Sequence, residues 1–341
     1  MAAIKVFFAT NRNFQPGNKL QAFGGKFNPD GVAALRFGYA EFNAGAAGPQ
    51  LAGVTVYPER TTQTGIKGGS ERFLEDLRTL MKGGLSDTLV FIHGFNVSFT
   101  GALEAAARLA QDVVIDGRQV NVVLFSWPSD GQAVPLMSYY SDREDARATG
   151  PALARTYLKL RDYLVKLDSE EYCQRRLHLL AHSMGAYVLR QGLQALIAKD
   201  PTALNRFFDQ IMLAAPDEDD DTFEHDSKLK LLPRLGRQVT VYFNPNDRAL
   251  LISDKTKTNP DRLGSDGPRL IDMIPKKIVL VDCRNVAGDA DPLVLHSYYI
   301  RSRAMARDLT EVLRGAPPES IGNRAYITEQ RSWRLVAELA P

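Results

Sequence analysis

From Thr88 onward the chain repeats one rhythm: a short, almost unbroken apolar run, a turn, then a longer stretch whose apolar residues recur every three or four positions. The runs are Thr88–Phe95, Asn121–Pro128, Leu177–Ser183, Ile211–Asp217, Val239–Pro245 and Lys277–Cys283. Apolar runs of this length suit strands buried on both faces. Helical patterns lie between most of them. Ser70 is placed to cap Glu71–Gly83, Ser98 or Thr100 to cap Gly101–Val114, and Gly315 to end Arg301–Gly315. In Ala152–Leu167, the residues Leu153, Tyr157, Leu160, Leu164 and Leu167 form one helical face.

The first part of the chain differs. Ile4–Ala9, Ala34–Phe42 and Val54–Tyr57 read as strands joined by Gly- and Asn-rich turns, a strand-rich extension over 1–60. The pattern as a whole predicts an α/β fold: a mostly parallel central sheet with helices on both faces and extra N-terminal strands. No Pro/Ser-rich linker or internal repeat divides it, so 1–341 reads as a single domain. The polar connections 128–150 and 217–237 read as lid or pocket loops, and 316–341 as a C-terminal appendage.

Composition narrows the picture slightly. The 341 residues are 44% hydrophobic and 24% charged, with a net charge of +2, which offers no reason to expect nucleic acid as a partner. Cys173 and Cys283 form no C-x-x-C pair, so neither a disulfide framework nor a zinc site is expected. No window approaches a membrane span, and Val6–Ala9 is too short for a signal peptide. A cytoplasmic protein is expected. Its oligomeric state is not legible.

The chemistry gathers around "LLAHSMGAYVL", Leu179–Leu189. An apolar run enters Ser183, and a helix with Val188, Leu189, Leu193, Leu196 and Ile197 on its apolar face leaves it. Ala181 and Gly185 are small, as a sharp strand-to-helix turn requires two residues either side of a nucleophile. The pattern is A-x-S-x-G, where G-x-S-x-G is commoner. A serine needs a base. Of the five histidines, His296 follows the last core strand, the position at which this arrangement supplies its base. His182 should point away from Ser183, and His93 is better suited to orienting the loop that follows it. Asp247, in the turn after Val239–Pro245, is the favoured acid; Asp217 is its competitor. Backbone N–H groups of Met184 and Phe95 would form the oxyanion hole, with Gly94 letting the loop turn. Such a site needs no metal or organic cofactor.

These motifs, with "VFFATNR", "VFIHGFNVSF", "LFSWPSDG", "SYYSDREDA", "LAAPDEDDDTF" and "YFNPNDRALLIS", make the chain resemble a bacterial family of alpha/beta hydrolases of unknown function. The similarity covers most of Val6–Arg314. It implies the α/β-hydrolase fold and a Ser183, Asp247, His296 triad. It also implies that Trp127, Tyr139, Tyr140, Asp142 and Arg143 wall or brace a pocket. The expected activity is hydrolysis of a small-molecule or lipid-like carboxylic ester through an acyl-enzyme. A thioesterase, amidase or acyltransferase would use the same residues, and a non-catalytic scaffold is the rival from another class.

Overall fold

The computed structural model describes residues 3–17, 22–45, 48–59, 68–129, 135–168, 171–250, 261–286 and 293–337. Its strands are β1 (Ala3–Thr10), β2 (Arg12–Phe14), β3 (Phe23–Phe27), β4 (Arg36–Asn43), β5 (Gln50–Val56), β6 (Thr88–Ile92), β7 (Val114–Ile115), β8 (Arg118–Gln119) and β9 (Asn121–Ser126). They continue with β10 (Leu177–His182), β11 (Phe208–Ala214), β12 (Gly236–Phe243), β13 (Ile278–Asp282), β14 (Arg324–Ile327) and β15 (Ser332–Leu335). The helices are α1 (Gly69–Gly84), α2 (Phe99–Asp112), α3 (Pro135–Val165), α4 (Met184–Lys199), the short α5 (Leu263–Asp266) and α6 (Arg303–Arg314).

The main sheet has the order β14-β15-β13-β12-β11-β10-β6-β9-β1-β4-β5. From β15 to β1 its strands are parallel; β14, β4 and β5 are antiparallel additions at the two ends. Side chains alternate across the sheet. Val6, Phe8, Leu89, Phe91, Val122, Leu124 and Leu180 enter a core with α2 and α6. Phe7, Ala9, Ile92, Val123, Phe125, Leu179 and Ala181 enter a second core with α1, α3 and α4. Two covered faces explain why the central strands lack polar alternation.

Three details depart from the sequence reading, and one choice that it left open is decided. α1 starts after Gly68, and Ser70 lies inside it, accepting a hydrogen bond from Lys159 Nζ at 2.8 Å. The cap of α2 is Ser98, whose Oγ accepts the Gly101 N–H at 3.1 Å. The 128–150 connection is helical from Pro135 onward, and α3 runs on through Pro151; 130–134 lie outside the described residues. It buries Tyr139, Asp142, Ala146 and Thr149, a helical spacing with polar members that an apolar pattern search passes over. The 316–341 tail is no appendage, since β15 pairs in parallel with β13 and carries β14 outside it; 338–341 lie outside the described residues.

The 217–237 segment is also compact. Phe223, Leu229 and Leu232 are buried in the core, as are Asp217, Glu218 and Asp220. The acidic run Asp217–Asp221 is therefore packed and paired within the fold. Arg190 meets Glu218 at 3.1 Å, Lys228 meets Asp219 at 2.9 Å, and Arg262 also pairs with Asp219. Among the described residues, no helix is long and apolar enough to cross a membrane.

Candidate active site

The chain order places the site. From β6, α2 leads to β9 on one side; from β10, α4 leads to β11 on the other. The carboxyl ends of β6 and β10 are therefore the switch point of the sheet, the place at which open α/β sheets bind their ligands. The loop after β6 holds His93, Gly94 and Phe95. The turn after β10 holds Ser183.

Ser183 has φ 53° and ψ −128°, between the end of β10 and the start of α4. A non-glycine residue at such angles costs on the order of 1–3 kcal/mol and persists only where its surroundings hold it. Here Ser183 N–H donates to Ala214 O at 3.0 Å, and Ser183 O accepts from Ala186 N at 3.0 Å and Asp217 N at 3.1 Å. Two glycines permit the close approach. A Cβ on Gly185 would lie 2.6 Å from the carbonyl oxygens of Ile92 and His93. A Cβ on Gly94 would lie 2.9 Å from Ser183 Cβ.

Asp247 is buried just beyond β12, and its Oδ2 lies 2.6 Å from His296 Nδ1. Its Oδ1 accepts the N–H groups of Ala249 at 3.0 Å and Leu250 at 3.2 Å, which fixes the carboxylate plane. The His296 ring sits 4.7 Å from that of His182, the neighbour of Ser183. His182 is stacked on Tyr299 at 4.1 Å, and burial holds it neutral, with His296 adding to the effect. Asp217 goes elsewhere: its Oδ2 accepts from Tyr139 Oη at 2.7 Å. The structure thus brings Asp247, not Asp217, to His296 Nδ1.

His93 is buried. Its Nδ1 lies 2.9 Å from Gly94 O, and its Nε2 accepts the Trp127 N–H at 3.2 Å. The two rings stack 5.3 Å apart, and Trp127 Nε1 donates back to His93 O at 2.9 Å. Burial, with Arg12 assisting, pushes the His93 pKa down to about 3, so the ring is neutral and its Nδ1 carries the proton.

The next residues of this loop are held from outside. Asn96 N–H donates to Asp142 Oδ2 at 3.1 Å, Val97 N–H donates to Ser129 Oγ at 3.1 Å, and Arg12 Nη2 donates to Val97 O at 2.8 Å. Phe95 packs its ring against Tyr139 at 5.7 Å, whereas Tyr140 is 53% exposed, its ring 6.1 Å from that of Tyr139. Arg143 lies over the Tyr187 ring at 3.9 Å. Arg12 and Ser129 are the residues that sequence reasoning missed. Their only signal was their place in the "ATNR" and "WPSD" motifs, to which no role attached. Among the described residues there is no cluster of His, Cys, Asp and Glu able to hold a metal.

A parallel sheet covered by helices on both faces, reversing its strand order beside a strained serine, makes this chain an alpha/beta hydrolase by fold. It belongs to the family described as alpha/beta hydrolases of unknown function (DUF900), whose model matches residues 71–313. An uncharacterized protein of Nostoc sp. is 27% identical over 185 residues, 47% of this chain and 45% of that protein. The chain thus spans less than half the length of that relative. A lipase-esterase related protein from Clostridium acetobutylicum is similar at 11% identity, with a TM-score of 0.30, over 68% of this chain and 94% of that one. An esterase from Pyrobaculum calidifontis is similar at 15% identity, with a TM-score of 0.31, over 67% and 75%.

Proposed function

We propose that the protein is a serine hydrolase acting on carboxylic esters. The observation that carries this reading is the 2.6 Å contact of Asp247 Oδ2 with His296 Nδ1, beside a serine held at φ 53°. Ser183 attacks the acyl carbon while His296 Nε2 takes its proton. Asp247 keeps the His296 proton on Nδ1 and stabilises the imidazolium. The developing oxyanion is held by the N–H groups of Phe95 and Met184. Removal of one such donor costs about 3 kcal/mol of transition-state stabilisation. His296 then returns the proton to the leaving alcohol, and water resolves the acyl-enzyme by the same route.

The neutral His93 serves as a brace in this scheme, because a ring with a pKa near 3 and both nitrogens engaged is a poor base at neutral pH. The substrate expected is a small-molecule or lipid-like ester. The test is covalent labelling by a fluorophosphonate, read by intact mass. A single adduct on the wild type that disappears in Ser183→Ala supports the reading. No adduct on a folded wild type would sink it.

A further inference from the structure

α1 and α3 lie beside one another on the sheet without closing over it. Between them is an apolar chamber of about 100 Å³, walled by Phe73 and Leu77 of α1, Leu153 and Leu160 of α3, and Val90 and Leu179 of the sheet. It shares Leu74, Leu77, Leu160, Leu177 and Phe208 with a second space of about 360 Å³ at the amino ends of β10 and β11. The two adjoin across these five side chains, an apolar inner chamber and a wider outer vestibule.

The vestibule is strongly cationic. Among the described residues, Arg78, Arg175, Arg176, Arg206 and Arg237 line it with one carboxylate, Asp209, while Glu171 beside it pairs with Arg78 at 3.4 Å. Asp209 is held by Arg237 at 2.8 Å, with Arg176 at 3.9 Å. Arg206 is exposed and makes no hydrogen bond or ion pair among the described residues. Tyr163 also lines the vestibule, and its Oη is buried with no hydrogen-bond partner there. A buried hydroxyl without a partner is rare enough to need an explanation.

We infer that the two spaces form one channel that binds a single-chain amphiphile with a carboxylate or phosphate head. The tail leaves water for the chamber, which favours binding with each buried methylene. The head meets guanidinium groups suited to paired hydrogen bonds with planar carboxylates or phosphates, and the Tyr163 hydroxyl supplies a further donor. The vestibule lies at the opposite end of β10 from Ser183, about 20 Å away at the rise of a strand, whereas the chamber runs along the sheet as far as Ile92 and Phe125. It stands independently of the role given to Ser183.

Isothermal titration of the full chain with dodecanoate, dodecyl phosphate and 1-dodecanol, each below its aggregation limit, tests the inference. Both anions should bind one per chain, and the alcohol about tenfold or more weakly, as the loss of charge-assisted bonds requires. Arg206→Glu, at an exposed position, should weaken both anions about tenfold by reversing one charge at the mouth. Leu160→Trp, which fills the chamber, should remove binding while circular dichroism stays unchanged. Should Leu160→Trp not fold, Arg206→Glu and the alcohol still decide. No binding to the wild type, equal affinity for the alcohol, or indifference to Arg206→Glu would overturn the inference.

Discussion

Asp142 Oδ2 accepts the backbone N–H of Asn96 at 3.1 Å, so a helix 46 residues along the chain holds the loop that follows β6. The same carboxylate takes the Ser129 hydroxyl, which in turn accepts the Val97 N–H at 3.1 Å. Asn96 sits at φ 57° and needs such support. Phe95, the proposed oxyanion donor, is its immediate neighbour. Asp142→Ala should cost about 1.5–3 kcal/mol of stability, the range for a hydrogen bond to a charged group. It should also lower ester turnover by about 10²-fold, as a small displacement of a reacting group does. Turnover of p-nitrophenyl esters checks this: kcat should fall while KM stays nearly constant, and a change in KM alone would refute it.

Asp247→Asn separates orientation from folding. The side-chain oxygen that accepts from Ala249 and Leu250 is kept, while an amide replaces the oxygen that faces His296 Nδ1. The histidine is then driven to the wrong tautomer. Ester hydrolysis should fall about 10⁴-fold with little change in melting temperature. A loss of less than tenfold would remove Asp247 from the mechanism.

The Gly185 and Gly94 substitutions should differ in kind. A methyl on Gly185 meets two backbone carbonyls at 2.6 Å, which cannot move without shifting β6. Gly185→Ala should therefore destabilise by about 1–3 kcal/mol in chemical denaturation. A methyl on Gly94 meets Ser183 Cβ at 2.9 Å and His182 Nδ1 at 3.0 Å. Gly94→Ala should slow fluorophosphonate labelling of Ser183 more than it lowers stability.

His93 makes acid stability depend on one ring. Its folded pKa is pushed down to about 3 from the ordinary 6.5, first by burial and then by Arg12. Between those two values the unfolded chain binds a proton that folded His93 refuses. Stability is therefore full above about pH 6.5 and falls by about 1.4 kcal/mol per pH unit as the pH drops towards 3. His93→Gln should cost stability at pH 7 through lost hydrogen bonds, yet lose about 2–3 kcal/mol less than the wild type between pH 6.5 and 4.5. Parallel urea-denaturation profiles for the two proteins would contradict this.

The C-terminal hairpin should be held by one buried ion pair. Arg324 Nε lies 2.6 Å from Asp308 Oδ2, and both side chains are fully buried. Tyr242 Oη donates to the same carboxylate at 2.7 Å. Arg324→Ala leaves that charge without its main partner and should cost about 3–5 kcal/mol. Arg324→Ala combined with Asp308→Ala should cost less than Arg324→Ala alone, which a double-mutant cycle measures.

What the sequence determined by itself was local or periodic. Buried strands read as unbroken apolar runs because both sheet faces are covered. The turn at Ser183 was legible because a strained backbone excludes bulk two residues to either side, and Ala181 and Gly185 answer that demand within a single pentapeptide. The extent of α3 was hidden because its first buried face contains Tyr139, Asp142 and Thr149, and their burial depends on partners elsewhere in the chain. The burial of the acidic run was hidden for the same reason: Arg190 and Arg262 reach it from two other segments, and Lys228 folds back from further along its own. The choice between Asp217 and Asp247 was likewise tertiary. Both follow a strand, but Tyr139 Oη approaches one and His296 Nδ1 the other. Apolar burial and backbone strain are read along the chain, whereas polar groups are satisfied across it, so only the folded structure assigns their partners.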